Sequence, residues 1–276
     1  MSVMVKIKQK ALFKKKVSIQ DIIALTGLSY GVSDENYRLV RNEVGENTLL
    51  YDENRLARGI QIFLKGADIG LVLSIPTSPS EVKSFYTVIE KICHHLNTET
   101  YIREGEKVSI SEDPEFIAQD QEGSRAALRN IGEKIGQKPE GSLEIFGVCN
   151  PISIGAEEIR QINGNLENFE DYLHKLQAMD VYYAAPRFYQ VRNQLIGVYA
   201  IGPDTASVVP TAPYHILEQT HRISDWYVLL KDSATIRYED FMNHIASKQY
   251  YDSRHVIVSL AENEIDDLVE QYSVQI

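Results

Sequence analysis

The sequence predicts an α+β protein, with largely antiparallel sheets covered by amphipathic helices. Three observations predict it. Short β-rich runs come in hairpin pairs, as over 58–75 and around Arg192-Asn193-Gln194. Stretches with apolar residues at steps of three and four stand between these hairpins, most clearly over 78–96. The strict β-α alternation that a doubly wound parallel sheet requires is missing, which puts that fold second.

From the N-terminus, Val3, Val5 and Ile7 alternate with Met4, Lys6 and Lys8, the pattern of a half-buried strand. Ser18, with Asp21 three residues on, caps a short helix that Gly27 stops. Residues 31–54 are polar and promise turns with one or two short strands. In RGIQIFLKGADIGLVLSI (58–75) a Gly-Ala-Asp turn joins two apolar runs. In TSPSEVKSFYTVIEKICHHLN, Ser78 caps a helix, Pro79 takes the first position and Glu81 completes a capping box. Val82, Phe85, Tyr86, Ile89, Ile92, Cys93 and Leu96 then form its buried face. TYIREGEKVSI reads as a strand pair and 124–135 as a helix. The stretch GQKPEG (136–141) interrupts both periodicities and is the linker candidate. The chain therefore reads as two subdomains, 1–138 and 139–276, or as one continuous domain. Beyond it, LEIFGVCNPISIG reads as a buried strand containing Cys149, followed by helices at 156–162 and 166–179. VYYAAP, FYQVRNQLIGVYAIG, ASVVP, DWYVLL and HVIVSL read as strands, with helices at 238–246 and 262–272.

The 276 residues carry a net charge of −11, unevenly spread. Residues 1–16 hold six lysines and no acid, so the remainder sets 22 basic groups against 39 acidic ones, a net of −17. Such a body repels phosphate backbones and anionic lipid, so neither nucleic acid nor a membrane is expected as partner. The lysines read as the fringe of an edge strand, where charge discourages sheet-to-sheet pairing. With two cysteines, Cys93 and Cys149, a disulfide scaffold or zinc cluster is excluded by number. The N-terminal residues do not resemble a signal peptide and no run approaches the length of a spanning helix, so the cytoplasm is the expected location.

The phosphate cradle, the dinucleotide turn, H-E-x-x-H and G-x-S-x-G are all missing. Ser80-Glu81-Val82-Lys83 matches S-x-x-K, but without K-T-G or S-D-N a helix-capping role explains the same residues. No catalytic residue, cofactor or metal is assigned. His215 and His221, with Asp225 shortly after them in YHILEQTHRISDW, are the histidines close enough in sequence to suggest a metal or acid–base site, although a solvated loop makes the same pattern. Tyr182, Tyr183, Arg187, Tyr189, Arg192, Tyr199, Trp226 and Tyr227 concentrate the residue types of contact surfaces, which strand propensity also explains. YYDSRH, ending at His255, either lines a cleft or forms a turn.

The segments IPTSPSEVKSFYTVIEKICHHLNTETYIREGE, IFGVCNPISIG, LQAMDVYYAAP and YYDSRH together resemble an uncharacterised family of roughly 280-residue bacterial proteins, mostly Gram-positive, that carry a domain of unknown function. The resemblance covers nearly the whole chain and implies no activity. Two functional expectations follow. The first is a non-catalytic interaction protein, adaptor or immunity-like, that engages a basic protein partner. The alternative is a small-molecule binder or enzyme whose site is assembled on folding from Arg187, His215, His221, Asp225 and His255.

Overall fold

Of the 276 residues, the computed structural model describes 1–9, 16–137, 141–215, 223–231, 233–245 and 248–276. They divide into two compact units, Met1–Ile152 with Ala156–Ala178, and Ser153–Gly155 with Met179–Ile276. The 138/139 boundary read from the sequence falls on residues outside those described. The fold is α+β, with seven α-helices and large antiparallel sheets among the described residues.

The first unit runs through β1 (Ser2–Lys8), α1 (Ile19–Thr26), β2 (Ser29–Ser33), β3 (Leu39–Arg41), β4 (Thr48–Tyr51), β5 (Ile60–Lys65), β6 (Asp68–Ser74), α2 (Pro79–His95), β7 (Thr100–Arg103), β8 (Glu106–Ser109), α3 (Asp113–Gln137), β9 (Leu143–Phe146), β10 (Pro151–Ile154, of which Ser153 and Ile154 belong to the second unit), α4 (Ala156–Ile162) and α5 (Leu166–Gln177). An eight-stranded sheet in the order β3-β2-β4-β5-β6-β1-β7-β8 is its centre. The alternation in β1 buries Val3, Val5 and Ile7 against α1 and α2, whose apolar stripes include Ile22, Val82, Phe85, Ile89 and Ile92. The lysine-fringed edge is a misreading. β1 lies between β6 and β7, pairing Lys6 with Gly70 on one side and Ile102 on the other. Alternation reveals which face of a strand is buried, but says nothing about what flanks it. Lys10, Lys14 and Lys15 lie outside the described residues.

Ser18 and Asp21 form the expected capping box and Gly27 ends α1 in the left-handed region. At α2 the cap is only half as expected. Ser78 accepts from the Glu81 N–H at 3.1 Å, but the Glu81 carboxylate turns inward instead of back to Ser78. It accepts from the backbone N–H of Gly59 at 2.6 Å, from that of Arg58 at 3.0 Å and from the Thr77 hydroxyl.

α3 starts eleven residues before the stretch that periodicity marks. Its buried positions Asp113, Asp120, Ser124, Leu128, Ile131 and Ile135 keep helical spacing throughout, but the first three are polar, so a hydrophobic pattern cannot show them. Their partners explain their burial. Asp120 accepts from Tyr86 and from Arg103, both at 2.5 Å, and Asp113 accepts from Tyr101 at 2.6 Å. Burial pushes the Asp113 carboxyl up to about 6, against the lowering effect of the Tyr101 hydrogen bond, and Glu90 and Glu112 add to the rise. A carboxyl raised in the folded state contributes stability below its unfolded value and loses it as pH rises through about 6. Asp113→Asn is therefore expected to melt above the wild type at pH 8, with the difference closing by about pH 4, in paired thermal melts across that range.

The strand expected to contain Cys149 is two strands. β9 and β10 form a two-stranded sheet, and Cys149 lies in the turn between them. Gln177 braces that turn, accepting from the N–H groups of Cys149 at 2.6 Å and Asn150 at 3.0 Å and donating to Asn150 O at 3.1 Å.

The second unit contains β11 (Tyr182–Tyr183), β12 (Arg187–Val191), β13 (Gln194–Ala200), β14 (Ser207–Pro210), β15 (Asp225–Leu229), β16 (Thr235–Arg237), α6 (Tyr238–His244), β17 (Gln249–Tyr250), β18 (His255–Val258), α7 (Glu262–Tyr272) and β19 (Ser273–Val274). They form a four-stranded sheet, β11-β14-β18-β17, and a five-stranded sheet, β12-β13-β15-β16-β19. Tyr199, Val209, Val228, Phe241, Val258 and Ile265 belong to one core fed by both sheets and by α6 and α7. Opposite Trp226 in the β13–β15 pair stands Gly197, where a Cβ would collide with the indole ring. Gly197→Ala should cost about 1–3 kcal/mol in urea unfolding, and it should shift the emission of Trp226, the one tryptophan of the chain.

Candidate functional site

The site grows from the turn that leads into β18. Tyr251 N–H bonds His255 O at 3.0 Å, and the Asp252 carboxylate accepts from the N–H groups of Arg254 and His255, both at 2.9 Å. An aspartate folded back on its own turn in this way is local chemistry. It sets the carboxylate beside the imidazole that follows, with Asp252 Oδ1 at 2.8 Å from His255 Nδ1. The second oxygen, Oδ2, accepts from Ser153 N–H at 2.8 Å. Both side chains are fully enclosed, the imidazole 2% exposed and the carboxylate 0%.

The other ring nitrogen faces two phenols. His255 Nε2 stands 3.0 Å from the Tyr183 hydroxyl and 3.1 Å from that of Tyr214. Sheet pairing brings them there. β18 pairs antiparallel with β14, setting Pro210 opposite His255, and β11 pairs parallel with β14, setting Tyr183 beside Val208. Tyr214 lies four residues past the end of β14 and is half-buried, whereas Tyr183 is 8% exposed. The Arg254 guanidinium lies over the Tyr214 ring, 3.7 Å from its centre.

Since Asp252 accepts at both oxygens, the imidazole proton sits on Nδ1, and Nε2 of the neutral ring offers a single lone pair. One hydroxyl at a time can donate to it; in the imidazolium form Nε2 becomes a donor instead. A carboxylate that orients an imidazole, with the far nitrogen against an O–H, is the arrangement that proton exchange with a bound oxygen requires.

A family model matches residues 2–268 of the chain. The protein belongs to the family Domain of unknown function (DUF4299). Among curated proteins and among solved structures, nothing matches this DUF4299 chain.

Of the residues singled out from the DUF4299 sequence, the fold brings His255 and Tyr183 together and sends the other described ones elsewhere. Tyr182, the neighbour of Tyr183 on β11, is exposed. Arg187 is exposed on β12, and Arg192, also exposed, takes a left-handed conformation in the β12–β13 turn. His215 packs edge-on against Phe188 at 5.0 Å, and Trp226 meets the same ring at 6.2 Å. Asp225 pairs with Arg237 at 3.5 Å. His221 lies outside the described residues. Asp252 and Tyr214 complete the cluster. For Asp252 a signal existed in the D-x-x-H of YYDSRH; Tyr214 carried none, because its role depends on a strand pairing.

In the first unit, Ser80 donates its hydroxyl to Glu170, while Lys83 is exposed, so the S-x-x-K residues do not converge. Burial pushes the Cys149 thiol up to about 11 against the lowering influence of Arg41, the opposite of an activated nucleophile. Among the described residues no group of three or more His, Cys, Asp or Glu side chains could hold a metal ion, and no helix is long and apolar enough to cross a membrane.

Proposed function

We propose that the second unit binds a small polar ligand beside Tyr214 and exchanges a proton with it through the Asp252–His255 pair. The observation that carries this reading is the contact of one imidazole nitrogen with two phenol oxygens while the other nitrogen is anchored on a buried carboxylate. An imidazole oriented by a carboxylate, with hydroxyls in reach of its far nitrogen, is the geometry from which an acid–base site is argued. Tyr214 is the half-buried member, so a ligand approaches from its side, with Tyr214 and Arg254 as first contacts and His255 behind them. The two cysteines, both free thiols, fit a reducing compartment, and a cytoplasmic location is part of the proposal.

A panel of metabolites screened by thermal shift tests it. A compound present at a hundred times its Kd should stabilise the wild type by about 2.7 kcal/mol. Tyr214→Phe should abolish that gain, while Asp225→Asn, away from the cluster, should keep it. Equal stabilisation of the wild type and Tyr214→Phe by every active compound sinks the reading.

A second reading, an interaction protein for a basic partner, is favoured by the acidity of α7. That helix carries Glu262, Glu264, Asp266, Asp267 and Glu270 with no basic residue, and Lys231 pairs with Glu262 and Asp266. Oligolysine should then bind the wild type more tightly than an Asp267→Asn, Glu270→Gln variant, with the difference vanishing in high salt.

A further inference from the structure

We infer that Tyr199 is a positioning residue for the His255 cluster, acting on it through the backbone of Tyr214; the inference rests on the proposed role of that cluster. The segment Pro210–Tyr214 contains two prolines, Pro210 and Pro213, which have no N–H to offer. Residues outside the segment hold it instead. Tyr238 donates its hydroxyl to Pro210 O at 2.6 Å, and Thr211 bonds Arg254 O through its N–H at 2.7 Å and its hydroxyl at 3.1 Å.

The backbone of Tyr214 meets the Tyr199 hydroxyl at both of its polar groups. The Tyr199 hydroxyl donates to Tyr214 O at 2.6 Å and accepts from Tyr214 N–H at 3.3 Å. Tyr199 belongs to β13, in the five-stranded sheet, is 1% exposed, and its ring lies 5.1 Å from Tyr238 and 5.8 Å from Trp226. A core tyrosine needs one partner for its hydroxyl, and phenylalanine fills the same space without one. Here the hydroxyl spans both polar groups of a single residue, whose phenol reaches His255 at the far end. Burial pushes the Tyr199 phenol upward, which keeps it protonated and able to serve as donor and acceptor together. The rigid core of one sheet thereby sets the oxygen presented to a histidine on the other. Positioning of this kind matters because productive geometry is lost with displacements on the order of 1 Å.

Nitrogen-15 NMR of the His255 ring, in the whole ligand-free chain, tests the inference. Tyr199→Phe is expected to move the Nε2 resonance and to speed hydrogen exchange of the Tyr214 amide by about tenfold, the effect of one lost hydrogen bond. In a Tyr214→Phe background the same change should move Nε2 no further, since the path runs through Tyr214. An Nε2 resonance unmoved by Tyr199→Phe, or moved equally in both backgrounds, overturns the inference. Should Tyr199→Phe fail to fold, Tyr199→4-fluorophenylalanine keeps a substituent of similar size in the place of the hydroxyl but has no O–H to donate; a stationary Nε2 there is equally fatal. Because these spectra need no ligand, a silent metabolite panel with a responsive Nε2 removes the binding reading and leaves Tyr199 in its role. A ligand that binds while Nε2 ignores Tyr199 does the reverse.

Discussion

Asp252→Ala is expected to destabilise the second unit by about 3–5 kcal/mol. The change removes the acceptor for four N–H groups, those of Ser153, Arg254 and His255 and the His255 ring, from a place that water does not reach. A buried donor deprived of its acceptor loses its full desolvation compensation, which is why truncating a saturated carboxylate costs more than any one bond is worth. Asp252→Asn separates the roles. Its amide oxygen can take over the bonds to the turn and the ring, but its NH2 then confronts Ser153 N–H, donor against donor. A smaller but real loss of about 1–3 kcal/mol is expected. Urea unfolding followed by Trp226 emission measures both; an Asp252→Ala protein as stable as the wild type would show that the turn stands without its carboxylate.

In the first unit, Glu81→Ala should cost about as much, on the order of 3–5 kcal/mol, for a related reason. Glu81 joins α2 to the start of β5, accepting from Arg58, Gly59 and the Thr77 hydroxyl. Burial pushes this carboxyl upward, with the Thr77 and Gly59 hydrogen bonds pulling the other way. A neutral amide is therefore cheaper to enclose, and Thr77 can turn its hydroxyl to accept from it. Glu81→Gln should lose less than half of what Glu81→Ala loses. Comparable losses in the two variants would mean that the cost is packing and that the hydrogen bonds contribute little.

Glu81 also illustrates how sequence signals mislead. S-x-x-E ahead of an apolar stripe has the spacing of a capping box, and the helix does begin there, yet the carboxylate serves a different contact. The helix boundary was legible because capping and periodicity act over a few residues. The inward turn of Glu81 was not, because Arg58 and Gly59 arrive through β-sheet pairing more than twenty residues away. The first turns of α3 failed for another reason: Asp113 and Asp120 are buried by polar partners, and apolar periodicity does not register them. β1 shows the same limit, since its buried face was readable and its central place in the sheet was not.

By itself the sequence determined the α+β class, the β5–β6 and β12–β13 hairpins, the capping box of α1 and the Ser78 cap of α2, and the helices α4, α5 and α7, all products of contacts within a short span of chain. It also contained the Asp252–His255 pair, three residues apart in one turn. Only the tertiary structure decided that this pair meets Tyr183 and Tyr214, and that Asp225 and His215 are taken up by Arg237 and Phe188. Those meetings are set by which strands lie side by side, and strand order is fixed by the burial of whole faces, a property that no local spacing encodes.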